Sequence, residues 1–164
     1  TWTHDHTPTG VHDLCGNVLE IVRGLRIKDG ALWAAENNDA ALPETDLTTC
    51  GDGWKPIVDS NGDQVYVDAM DGIKFTNEKP QHGRANFESW EDVRMECWSD
   101  QLMELGLFAG EKKAYCAVDA TEGEYLPARG GDWYNGGLFS LDLDHPRSSS
   151  YWSIGGRSAY FKKR

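Results

Sequence analysis

From Tyr125 through Phe161 the chain has no lysine, glutamate, glutamine or methionine, although the whole sequence holds twenty-five of them and an even spread would place about six there. Other absences narrow the chemistry. No apolar run approaches the roughly 20 residues of a membrane-crossing helix. The four cysteines (Cys15, Cys50, Cys97 and Cys116) show no Cys-x-x-Cys spacing, which argues against a zinc knuckle, and free, mostly buried thiols are expected rather than disulfides. There is no Gly-x-x-x-x-Gly-Lys phosphate loop and no Ser-His-Asp arrangement suited to nucleophilic catalysis. Positive charge is scarce: 16 basic against 27 acidic residues give a formal charge of −11, which argues against nucleic-acid binding and against attraction to anionic membrane surfaces. From Arg129 to Arg164, however, six basic residues face three acidic ones. Arg129, Arg147 and Arg157 lie in that stretch and are expected to pair internally with carboxylates.

A length of 164 residues suits one well-buried core, so a single domain over 1–164 is expected. Asn17 to Val22 reads as a strand, after one possible helical turn at Val11 to Leu14. A hairpin is expected about Lys28-Asp29-Gly30 and a second in Pro56 to Asp68, turning at Asn61-Gly62. The polar stretch 36–54, broken by Pro43 and Gly51-Asp52-Gly53, reads as a surface insertion. Glu88-Ser89 offers a helix start, Trp90, Val93, Met95, Cys97, Trp98, Leu102, Met103 and Leu105 form an apolar stripe, and Gly106 supplies a stop. Leu107 to Val118 returns to β structure. Short strands with one long and one short helix make the expected class α+β.

The C-terminal block alternates. Phe139, Leu141 and Leu143 fall on one side of a strand, and Ser140, Asp142 and Asp144 on the other. Tyr151-Trp152-Ser153-Ile154 repeats the pattern, with Trp152 and Ile154 as the inward pair. The missing residue types have two accounts here. Tightly turned β structure disfavours Glu, Lys and Gln. Alternatively, an Asn codon randomised at its two adenines reaches many amino acids but never Lys, Glu, Gln, Met or Trp. On that account Trp133 and Trp152 belong to a fixed frame, and the Asp, Tyr, Asn, His and Ser positions to a displayed surface.

The run Arg129-Gly-Gly-Asp-Trp-Tyr-Asn-Gly136 through Phe139-Ser-Leu-Asp-Leu-Asp144 to Arg147-Ser-Ser-Ser-Tyr-Trp-Ser-Ile-Gly155 resembles the variable region of diversity-generating retroelement variable proteins. Upstream, Gly10-Val-His-Asp-Leu-Cys-Gly-Asn-Val-Leu-Glu20 is similar to the Gly-Asn-Val-x-Glu signature of the formylglycine-generating-enzyme branch of the same fold. The resemblance brackets nearly the whole chain. It implies a C-type lectin fold with short twisted β-sheets and two helices, and a variable region at about 129–157. It also implies a binding domain for a host-surface or other macromolecular ligand, carried by a longer protein on a phage tail or microbial surface. The implied variable positions are Asp132, Tyr134, Asn135, Asp142, Asp144, His145, Ser149, Tyr151 and Ser153. The implied scaffold positions are Trp133, Leu141, Leu143, Trp152, Ile154 and Arg157. The chain departs from the family pattern in a shorter loop after Trp133-Tyr134-Asn135-Gly136.

An enzyme of the formylglycine-generating type is the alternative. That chemistry needs a late pair of reactive cysteines, and none follows Cys116. His4 and His6 are two apart in a polar segment and unmatched by His12, His82 or His145, so solvated histidines are expected rather than an iron site. Lectin-type calcium motifs are absent, and Asp59, Asn61 and Asp63 fit an Asn-Gly hairpin as well as a calcium loop. The expectation is therefore a binding module with no catalytic residue, metal or cofactor.

Overall fold

The computed structural model describes residues 7–8, 18–81, 83–87, 89–109, 114–131 and 140–155, with no side-chain description for 38, 86 and 87. Strand accounts for 37% of these residues and helix for 11%, in a sheet curled into a half-barrel. The fold is mainly β. Helix is scarce among the described residues because the anticipated long helix does not form, as set out below.

The strands are β1 (Leu19–Ile21), β2 (Leu25–Lys28), β3 (Ala31–Ala35), β4 (Trp54–Pro56), β5 (Tyr66–Asp68) and β6 (Lys74–Thr76). They continue with β7 (Arg84–Phe87), β8 (Arg94–Met95), β9 (Cys116–Asp119), β10 (Glu124–Arg129), β11 (Leu141–Pro146) and β12 (Ile154–Gly155). All twelve join one sheet in the order β7-β9-β11-β10-β2-β3-β5-β6-β8, with β1 linking β10 to β12 and β4 lying on β3. Ile27, Leu32, Val67, Phe75, Val118, Leu141 and Leu143 supply its inner face, closed by Trp90, Leu102 and Leu107.

Both expected hairpins form. Asp29 (φ 52°) and Gly30 (φ 77°) take the left-handed pair of a tight two-residue turn between β2 and β3. A side chain at Gly30 would also meet Pro80 Cγ at 2.5 Å. Asp29 N–H donates to the Gly123 carbonyl at 2.9 Å, and Gly123 N–H donates to Asp29 Oδ1 at 2.9 Å, tying this turn to the start of β10. In the second hairpin Asp59 Oδ1 accepts from the Asn61 and Asp63 N–H groups at 2.8 and 3.0 Å, and Asp59 Oδ2 accepts from Asn77 Nδ2 at 3.0 Å. The Asp63 backbone contact is the largest influence holding the Asp59 carboxyl below its ordinary range. The Asp-x-Asn-x-Asp run thus closes a turn.

The helix expected from 88 to 106 is replaced by three short pieces. Ser89 Oγ accepts from Glu91 N–H at 3.1 Å and starts only a 3₁₀ turn, Trp90–Asp92. β8 then pairs in parallel with β6. Only Asp100–Glu104 is α-helical (α1), ending at Gly106 with φ 70°. The reason lies in the period: Val93, Met95 and Cys97 alternate with Arg94, Glu96 and Trp98, so this stretch satisfies a strand once a sheet edge is available. Trp98 faces solvent in consequence. The turn expected at Val11 to Leu14 lies outside the described residues.

The 36–54 stretch has little regular structure beyond the 3₁₀ turn Glu36–Ala41, yet it is clamped to the sheet. Leu47 and Trp54 are buried, and Trp54 Nε1 donates to the Thr48 carbonyl at 3.0 Å. The buried Arg26 guanidinium lies 4.4 Å from the Trp54 ring centroid and donates to Glu124 Oε1 at 2.8 Å. Arg147 also donates to Glu124, at 2.6 Å, so that framework arginine pairs with a carboxylate as expected. Arg129 instead donates to the Leu105 carbonyl at 2.6 Å, capping the negative end of α1. Arg157 lies outside the described residues.

Candidate functional site

β11 runs parallel to β9 on one side and antiparallel to β10 on the other. Leu141 and Leu143 point into the core, as the alternation requires. Asp142 and Asp144 take the opposite face, but that face is covered as well: the two are only 6% and 9% exposed. Their expected place on an open surface is therefore corrected. Two buried carboxylates are tolerated only if charge and hydrogen bonds reach them, and both do. Arg84, from β7, pairs with Asp144 across the intervening β9. His145 places Nε2 3.2 Å from Asp142 Oδ2 and Nδ1 3.7 Å from Asp144 Oδ1. Neither contact is an aligned hydrogen bond, and each is an ion pair only when the imidazole is protonated.

A β-bulge explains how His145 joins that group. Along β10, Leu126 pairs with His145 and Ala128 with Asp142, so Leu143 and Asp144 together oppose the single residue Pro127. Proline has no N–H to offer a regular ladder at that point. The extra residue shifts the parity of β11, so His145 turns toward Asp142 where strict alternation would set it with Leu143.

The electrostatics follow from these contacts. Asp144 is pushed up to about 6, by burial first and then by Asp142, with Arg84 opposing. Asp142 is held below its ordinary value: burial acts upward, but His145 and Asp144 outweigh it. His145 is raised, chiefly by Asp142. Tyr115, preceding β9, is pushed up to about 12 by burial and then by the two aspartates. The donor atoms of Asp142, Asp144 and His145 lie within 4.8 Å of one another, near enough to share one cation, and Arg84 is the cation paired with Asp144.

Beyond β11 the chain turns twice. Ser149 N–H donates to the Pro146 carbonyl at 2.8 Å, and Ile154 N–H to the Tyr151 carbonyl at 3.1 Å. The second turn replaces the expected alternation of Tyr151 to Ile154. Trp152, expected to point inward, is therefore 73% exposed, beside Tyr151 at 60%. Ile154 is half-buried in β12, and Ser149 and Ser153 are half-buried. The Tyr151 ring lies 6.2 Å from the His145 ring, tilted by 50°. Asp142, Asp144, His145 and Tyr151 thus come together, whereas Asp132, Trp133, Tyr134, Asn135 and Arg157 lie outside the described residues. Arg84 and Tyr115 were missed from sequence. They come from other strands, and no local pattern marks either.

Cys50, Cys97 and Cys116 are free; Cys116 alone of the three is fully buried, and burial pushes its thiol up to about 12. A recess of about 670 Å³ between the Glu36–Ala41 turn and α1 is lined by Arg23, Asn37, Gln101 and Arg129 and shares no residue with the Asp142 cluster. Among the described residues no helix is long and apolar enough to cross a membrane. No protein-family model and no curated protein matches the chain.

Proposed function

We propose that the chain is a ligand-binding domain of the diversity-generating retroelement type, built on a C-type lectin frame and displayed on a phage tail or microbial surface. Its partner is a host-surface or other macromolecular ligand. The observation that carries this reading is the exposed aromatic pair Tyr151–Trp152, set beside His145 on a segment whose two ends are fixed by turns and by the buried Leu141 and Leu143. Tyrosine provides rigid amphipathic contact area at low entropic cost, and Ser, Asn, Asp and His provide adaptable hydrogen bonds. The gap in Lys, Glu, Gln and Met from Tyr125 to Phe161 supports the same reading.

In this reading diversification acts at Asp132, Tyr134, Asn135, Asp142, Asp144, His145, Ser149, Tyr151 and Ser153, while Leu141, Leu143, Trp133 and Ile154 hold the frame. Trp152 joins the contact surface although its codon stays fixed, giving every variant one constant aromatic anchor. The test is a displayed library randomised at the nine positions and selected against a panel of unrelated surface proteins. Binders that keep the parent fold support the proposal. A library that yields folded members but no binder to any target contradicts it.

A further inference from the structure

Arg129, half-buried at the end of β10, makes one side-chain hydrogen bond among the described residues, from Nη2 to the neutral Leu105 carbonyl at 2.6 Å. None of the ion pairs among those residues reaches it, whereas Arg26 and Arg147 share Glu124. Burial accordingly pulls the Arg129 guanidinium below its ordinary value, with Cys116 opposing. A partly desolvated cation without a carboxylate is costly. Arg129 lines the recess of about 670 Å³ between the Glu36–Ala41 turn and α1. The walls of that recess are fixed. Gly24 turns β1 into β2 at φ 96°, and a side chain there would meet Ala40 Cβ at 2.8 Å, so the Glu36–Ala41 turn sits directly on it. Ala35 N–H donates to the Gly24 carbonyl at 2.8 Å and ties the end of β3 to the same turn.

We propose that this recess binds a monocarboxylate, with the carboxylate on the Arg129 guanidinium and an apolar body along Leu25, Ala34 and Pro127. A guanidinium edge presents two N–H groups to two carboxylate oxygens, a match that an ammonium does not make. Asn37 and Gln101 add amide N–H donors, and Arg23 adds a second positive charge. Glu36 and Glu104 are exposed on the same recess, so a second anionic group on the ligand would meet like charge. The ligand is either a small organic acid or the C-terminus of a peptide, which share this chemistry. The site goes beyond the proposed function and does not rest on it.

The test titrates N-acetyl-leucine into the intact chain and follows the backbone amide resonances of Gly24, Asn37 and Gly106, with N-acetyl-leucinamide as the uncharged control. The acid is expected to shift them saturably and the amide to leave them in place. R129Q should weaken binding about tenfold or more, and R129K, which keeps the charge without the planar fork, should weaken it as well. Arg129 also caps α1, so R23E, at an exposed position, gives a second measure and should weaken the acid about two- to fivefold. An N-acetylated tripeptide ending in leucine separates the two sources. Tighter binding than N-acetyl-leucine identifies a chain terminus, equal binding identifies a small acid, and both support the site. Equal shifts from acid and amide, no saturable shift from either acid, or an affinity that R129Q and R23E leave unchanged overturns it.

Discussion

Arg84 and Asp144 form an ion pair between strands that are not neighbours: β9 lies between β7 and β11, and the arginine reaches over it. The pair stabilises the ionised form of a carboxylate that burial and Asp142 push up to about 6. R84A should therefore raise Asp144 further, read from its side-chain carboxyl carbon shift against pH. The sign for stability is set by the raised value. The folded state binds this proton more tightly than the unfolded state, so Asp144 costs stability as pH rises from 3.8 through about 6. D144N should lessen that slope in urea titrations at several pH values.

Glu124 has the opposite sign. It accepts from Arg147, Thr49 and Arg26, and is held down to about 2 against an ordinary 4.5, with Arg147 the largest cause. Its stabilisation is present above 4.5 and is lost as pH falls toward 2. E124A leaves Arg26 buried without its carboxylate and should cost about 3–5 kcal/mol in urea unfolding at neutral pH.

The two faces of the C-terminal block should separate in the same assay. L143A should cost about 2–5 kcal/mol, as a fully buried leucine. W152A should stay within about 0.5 kcal/mol, as for an ordinary surface site, because most of the ring is already in water. Equal losses would mean that Trp152 supports the frame.

Thiol reactivity should rank by exposure and thiolate access. Cys50, which is exposed, should react with an aromatic disulfide reagent in the native state. Cys116, buried and pushed up to about 12, should react only on unfolding. Mass spectrometry of timed labelling distinguishes them.

What was legible in the sequence were the features written in neighbouring residues. Asp29-Gly30 marks its turn because few other pairs take two left-handed residues in succession, and in the second turn Gly62 alone takes a positive φ, 89°. The alternation of Leu141 and Leu143 marks β11. The 88–106 stretch was not legible, because its apolar spacing satisfies a helix and, over Val93 to Cys97, a strand; the edge of β6 decides between them. The burial of Asp142 and Asp144 was equally hidden. It depends on Arg84, 60 positions from Asp144, and on a bulge imposed by Pro127 from another strand. Trp152 was misplaced because a turn interrupts the alternation that seemed to bury it.

Sequencing the gene's sibling copies, together with any near-duplicate of its 3′ coding region, tests the proposed function most directly. The expected result is substitution confined to the codons of Asp132, Tyr134, Asn135, Asp142, Asp144, His145, Ser149, Tyr151 and Ser153. Each change should fall at an adenine of the duplicate, beside a reverse-transcriptase gene, with Leu141, Leu143, Trp133 and Trp152 unchanged. Substitutions spread evenly over the chain, or directed at bases other than adenine, would contradict it.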